Sequence, residues 1–112
     1  MKTYKFHRKS GPRRLFLKEL ANNLILKERM TTTETRAKAL RPVVERLITV
    51  AKKQQIAGLR YLLARLNKKS ALKLYNEIAP KYNERPGGYL RIIKLGQTRK
   101  RDAAKTAIIE FV

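Results

Sequence analysis

Apolar residues fall at helical spacing through the first two-thirds of the chain and at alternating spacing near its end. Between residues 13 and 29, Leu17, Leu20, Ala21 and Leu24 follow i, i+3, i+4, i+7. Leu15, Phe16, Ile25 and Leu26 widen that stripe, which predicts an amphipathic helix with Arg14, Lys18 and Asn22 on its wet side. Pro12 suits its first turn, where a missing N–H costs nothing. Met30-Thr31-Thr32-Thr33 is too short and too β-branched to extend the helix and predicts a strand. Thr33 or a neighbour should cap the helix that follows, with Glu34 near its positive end. That second helix is predicted over 34–53, with Ala37, Leu40, Val44, Leu47 and Ala51 inward and Val43, Ile48 and Val50 alongside. Pro42 interrupts its hydrogen bonding, but the apolar phase continues across it, so a kink is expected.

A third helix is predicted over 56–66 through Leu59, Leu62, Leu63 and Leu66, with Gly58 a weak point. Asn67-Lys68-Lys69 breaks the pattern, and Ser70 is placed to cap a last helix through Leu74, Tyr75 and Ile78 that Pro80 ends. Glu84-Arg85-Pro86-Gly87-Gly88 signals a turn, and positive φ at a glycine is its expected purpose. Residues 89–95 and 105–112 are rich in β-branched and aromatic side chains, which predicts strands. In the second of these Ala107, Ile109 and Phe111 alternate with Thr106, Ile108 and Glu110, and residues 96–104 form a basic hairpin loop. The expected fold class is α+β, about four helices packed on a small three-stranded sheet. Residues 13–112 are expected to form a single domain that binds nucleic acid. Residues 1–12, without an apolar period, read as a basic extended N-terminal arm.

Charge adds what the pattern cannot. Twenty-eight Lys and Arg stand against eight Asp and Glu, a formal net of +20 on 112 residues. Solubility of a small domain needs only about 2–8 net charges, and the excess costs stability through self-repulsion. A polyanionic partner is the natural inference. Six of the first fourteen residues are Lys or Arg, with no acid before Glu19, and a second cluster of Lys94, Arg99, Lys100, Arg101 and Lys105 meets only Asp102. Such blocks mark elements that touch nucleic acid.

Composition also excludes. Without cysteine there are no disulfides or thiolate metal sites. No apolar run approaches the length of a membrane span and no signal-peptide core is visible, so a soluble cytoplasmic protein is expected. His7 is the only histidine and lies among cations, so no His-based triad or metal cluster can be assembled. Pro86-Gly87-Gly88 precedes a strand and lacks GKS or GKT, so it is a turn rather than a nucleotide-phosphate loop. An enzyme is disfavoured, and no cofactor or small-molecule substrate is expected.

Folded RNA is the favoured partner, since a basic arm can follow RNA grooves and no duplex-DNA reading motif is present. The residues singled out for contact are Lys2, Tyr4, Lys5, His7, Arg8, Lys9, Ser10, Arg13, Arg14 and Lys18 on the N-terminal side. Around the second helix they are Thr32, Thr33, Arg36, Lys38 and Arg41, where a helix N-terminus, hydroxyls and Arg make a plausible phosphate seat. Toward the C-terminus they are Arg91, Lys94, Arg99, Lys100 and Arg101. Tyr4 and His7 are placed to stack on an unpaired base. General DNA coating, and a membrane-surface role for the first amphipathic helix, are the alternatives.

Four segments carry a family resemblance: His7-Arg8-Lys9-Ser10-Gly11; Thr32-Thr33 with Ala37-Lys38 and Leu40-Arg41-Pro42; Glu84 to Gly96 (ERPGGYLRIIKLG); and Asp102-Ala103 through Ala107-Ile108-Ile109-Glu110. In order, and over nearly the whole chain, they resemble the family of the seventeenth protein of the bacterial large ribosomal subunit. The resemblance implies a structural role without catalysis: binding large-subunit ribosomal RNA, toward the nascent-chain exit side, among neighbouring large-subunit proteins and without homo-oligomerisation. The chain departs from that family after Gly11, where a longer basic stretch is usual, so contacts made by that stretch are not carried over.

Overall fold

The computed structural model describes residues 10–98 and 103–112. Helix α1 (Ser10–Lys27) is followed by β1 (Arg29–Thr33), α2 (Glu34–Lys52), α3 (Ile56–Arg65) and α4 (Lys68–Lys73), then by β2 (Leu90–Thr98) and β3 (Lys105–Phe111). The strands form one antiparallel sheet in the order β1-β3-β2. This is the α+β arrangement that the hydrophobic pattern predicts, with β3 central and α2 lying against all three strands.

Helix α1 begins at Ser10, three residues before the predicted start, so Ser10-Gly11-Pro12 is a first helical turn and not the end of an arm. Residues 1–9, the rest of that predicted arm, lie outside the described residues. Ala21, Leu24 and Ile25 carry its buried stripe, whereas Leu15 and Leu26 are exposed. Asn22, predicted to face water, is buried, because the start of α4 packs there and the Asn67 N–H donates to Asn22 Oδ1 at 3.0 Å. The helix stops at Glu28, whose φ is +64° and whose N–H reaches the Leu24 carbonyl. Lys73 Nζ donates to the Leu26 carbonyl at 2.8 Å, a cation at the negative end of α1.

Thr33 caps α2 as predicted, its Oγ1 accepting the Arg36 N–H at 3.3 Å. All five predicted inward residues of α2, and Ile48, are buried, and the helix runs through the exposed Pro42 without interruption. At its C-terminus Gln54 holds φ +52° while its Nε2 donates to the Ala51 and Tyr75 carbonyls. Gly58 is where α3 crosses α2: a Cβ there would lie 3.1 Å from the Val50 carbonyl oxygen. The apolar stripe of α3 is narrower than predicted, with Leu62 and Leu66 buried but Leu63 and Ile56 exposed.

The last helical segment departs most from its prediction. Ser70 does not cap α4 but sits inside it, fully buried, its Oγ without a hydrogen-bond partner. Asn67 occupies the capping position instead. After Lys73 the chain continues as a π-turn (Leu74–Ile78) and a 3₁₀ turn (Ala79–Tyr82), so Pro80 does not end it. The Ala79 N–H reaches back five residues to the Leu74 carbonyl, which widens the turn, and Ile78 and Ala79 are both buried there.

The turn at Pro86-Gly87-Gly88 fastens the sheet to the helices. Gly88 has φ +64°, and the buried Tyr89 beyond it packs against Tyr82 with ring centroids 5.3 Å apart. Lys52 Nζ donates to the Arg85 carbonyl and to the Tyr89 hydroxyl. The Tyr82 hydroxyl donates to the Val112 carbonyl at 2.8 Å, and the Val112 N–H to the Tyr89 carbonyl at 2.9 Å. Strand β2 then runs to Thr98, past the predicted end at Leu95. Its register shifts between Lys94 and Thr98, and Gly96 at φ +71° takes the irregular backbone there. The hairpin loop is correspondingly shorter than residues 96–104.

Candidate nucleic-acid interface

Register decides which predicted contacts share a neighbourhood. Thr33 pairs with Thr106 and passes directly into α2, and Lys105 pairs with Thr98 at the mouth of the β2–β3 hairpin. The start of α2 and the base of the hairpin therefore occupy one end of the sheet. In the row Thr32–Ala107–Lys94 the lysine comes to the same end, its Nζ 3.7 Å from the Glu34 carboxylate. The first half of α1 joins them through Arg36, whose guanidinium lies 5.1 Å from the centroid of the Phe16 ring. One end of the molecule thus collects the amino-terminal half of α1, the first turns of α2 and the hairpin that leads to Arg99, Lys100 and Arg101. Those three residues, like Lys2, Tyr4, Lys5, His7, Arg8 and Lys9, lie outside the described residues. Ser10 is the first residue of α1.

The phosphate seat predicted at the start of α2 is furnished differently from its expectation. Thr31 to Thr33 are paired with β3, so their backbone groups are not all free. The Thr33 side chain is buried and already caps the helix, and the Glu34 carboxylate stands in the first turn. A carboxylate there competes with phosphate for the positive end of the helix. Arg36 lies over Phe16, half-buried, and Thr32 is half-buried on the core-facing side of the sheet.

Ion pairing divides the remaining cations into two groups. Arg41 Nε is 3.0 Å from the Glu45 carboxylate one turn on. Arg91 is 2.7 Å from Glu110, which also lies 3.6 Å from Arg29, so one carboxylate sits between two guanidinium groups across the sheet. Arg91 is thereby at the far end of β2 from Lys94, on the opposite sheet face. These exposed pairs contribute little to stability, about 0–1 kcal/mol each, but they hold the side chains in place. Arg13, Arg14, Lys18 and Lys38 have no carboxylate partner among the described residues. Of the predicted contact residues that are described, they are the cations readiest to meet an external anion.

Arg65, exposed at the end of α3, is a further cation of note. Its guanidinium carbon lies over the Tyr61 ring, 3.6 Å from the centroid, a cation seated on an aromatic face. The signal was present in the sequence as Tyr61 and Arg65 at i, i+4 spacing on α3. Among the described residues no group of His, Asp and Glu is placed to hold a metal ion, and no helix is long and apolar enough to cross a membrane.

Comparison with known proteins adds a family to this geometry. The family model described as ribosomal protein L17 matches residues 16–112. A large ribosomal subunit protein bL17 from Persephonella marina is 51% identical over the whole of this chain and 92% of its own length. One from Sulfurihydrogenibium is 48% identical, covering all of this chain and 93% of its own. One from Thermomicrobium roseum is 46% identical over 96% of this chain and 92% of its own.

Proposed function

Because the chain belongs to the ribosomal protein L17 family, a family of structural components rather than enzymes, we propose that it binds and braces folded large-subunit ribosomal RNA. Its place in the cytoplasm is then the ribosome. The observation that carries the reading is the excess of cations over carboxylates, within which Arg13, Arg14, Lys18 and Lys38 have no carboxylate partner among the described residues. Guanidinium forks grip phosphate oxygens in pairs, and lysines add charge without fixed geometry. Neither reads sequence, so recognition is by phosphate position and RNA shape. Lys2, Lys5, Arg8 and Lys9 add four further cations in the sequence before α1, with Tyr4 and His7 of a type that stacks on unpaired bases. Thr32, Thr33 and Arg36 shape the start of α2, while Arg41, Arg91 and Lys94 reach RNA only by sharing or releasing their carboxylates. The family resemblance supports placing it toward the polypeptide exit side, beside other large-subunit proteins and as a single copy.

Sedimentation tests this reading. In a gently prepared lysate the protein is expected with large subunits, released only by high salt; recovery wholly in the free-protein fraction overturns it. Competition between folded ribosomal RNA and random duplex DNA separates it from general DNA coating, since comparable affinity for both would favour coating.

A further inference from the structure

A groove of about 630 Å³ lies between α1, α2 and α3. Leu17, Val43, Leu47 and Leu66 are among the apolar residues that line it. Leu47 and Leu66 belong to the buried core, so part of the wall is fixed by packing that the rest of the fold requires. Its polar side chains are Arg14, Lys18 and Arg65, and no carboxylate lines it. None of the three is in an ion pair with a described residue.

We propose that this groove receives one unpaired RNA base, stacked on the Arg65 guanidinium, with Arg14 and Lys18 holding the flanking phosphates. The inference rests on the RNA-binding reading above and gives it a site. An aliphatic slot alone suits many apolar groups, but every polar side chain lining this one is a cation, and a nucleotide is an apolar-faced ring between two anions. Arg65 adds the geometric preference. Its Cζ sits over the Tyr61 ring, 3.6 Å from the centroid, and a guanidinium seated on a ring in that way is a platform on which splayed-out bases of single-stranded RNA stack. An acidic amphipathic helix would also meet the cationic border, but it has no use for a flat, pre-positioned guanidinium.

The test uses the full chain and two RNA hairpins, identical except that one carries a single bulged 2-aminopurine. The bulged hairpin is expected to bind at least about fivefold more tightly, the low end of what one stacked base contributes, with its fluorescence quenched. Arg65→Lys keeps the charge and removes the plane, so it should bring the affinity ratio to near unity and abolish quenching while leaving the paired hairpin bound as before. Ala64→Leu, at an exposed position lining the groove, should do the same by filling it. A wild-type ratio near unity with both hairpins still bound overturns the groove proposal and leaves the RNA-binding reading standing; failure to bind either RNA removes both. Retained preference and quenching in Arg65→Lys would overturn it, as would groove-dependent binding of an acidic helical peptide with no bulge preference.

Discussion

Two neighbouring glycines show how backbone conformation, and not space, sets the cost of a substitution. Nothing lies within 4 Å of a Cβ built on either Gly87 or Gly88, but only Gly88 has positive φ. Gly88→Val should therefore destabilise by roughly 1–3 kcal/mol, and Gly87→Val by much less. Thermal melts of the two variants that coincide would refute the assignment. Tyr82 supplies a second residue-scale prediction. Burial raises its hydroxyl pKa above the ordinary tyrosine value, Arg85 opposes that rise and Glu28 adds to it. With the folded pKa above the unfolded one, the folded state holds the proton more tightly. The associated stability is complete below the unfolded value and declines as pH rises through the interval up to the folded pKa. Tyr82→Phe should flatten that alkaline decline and remove one tyrosinate from the alkaline ultraviolet titration. It should also lower stability at neutral pH, because the bond to the Val112 carbonyl is lost.

At the scale of elements, Pro42 is the clearest internal conflict. It stands in the middle of α2, the helix that touches every strand, and its side chain is exposed. The missing N–H leaves the Lys38 carbonyl without its helical partner, while no packing would be lost on replacement. Pro42→Ala should stabilise by up to about 3 kcal/mol, reduced by the greater freedom it gives the unfolded chain. Chemical denaturation reads this directly, and an unchanged midpoint would mean the helix has relaxed fully around the ring. Periodicity made α2 legible because its buried face is set by its own sequence. It failed at Asn22, whose partner is a backbone group 45 positions away, and at Ser70, which a capping rule assigns to a helix start but which tertiary packing draws inside. The π-turn escaped because its widened hydrogen bond, from the Ala79 N–H to the Leu74 carbonyl, leaves no mark in the spacing of apolar residues. The candidate interface was legible as charge and illegible as geometry. Which cations carry a carboxylate depends on strand register, as Arg91 with Glu110 and Lys94 with Glu34 show.

For the whole molecule, a net charge of +20 has opposite consequences for folding and for binding. Like charges repel within the folded chain, so added salt, by screening them, should raise the melting temperature of the isolated protein. The same salt should weaken RNA binding, because each neutralised phosphate releases condensed counterions. With about six phosphates engaged, log affinity against log salt should slope near −4 to −5, at ~0.7–0.9 per contact. Helix α1 begins at Ser10 and the described core begins at Ala21, so a deletion ending at Lys9 removes four cations without touching either. That variant should melt like the parent yet show a slope shallower by ~0.7–0.9 for every phosphate those residues held. An unchanged slope would mean that the first nine residues are idle and that the folded body makes all the contacts. A melting temperature that fell with salt, in parent and variant alike, would mean that attractive pairs such as Arg91–Glu110 outweigh the repulsion, and the need for an external polyanion would go with it.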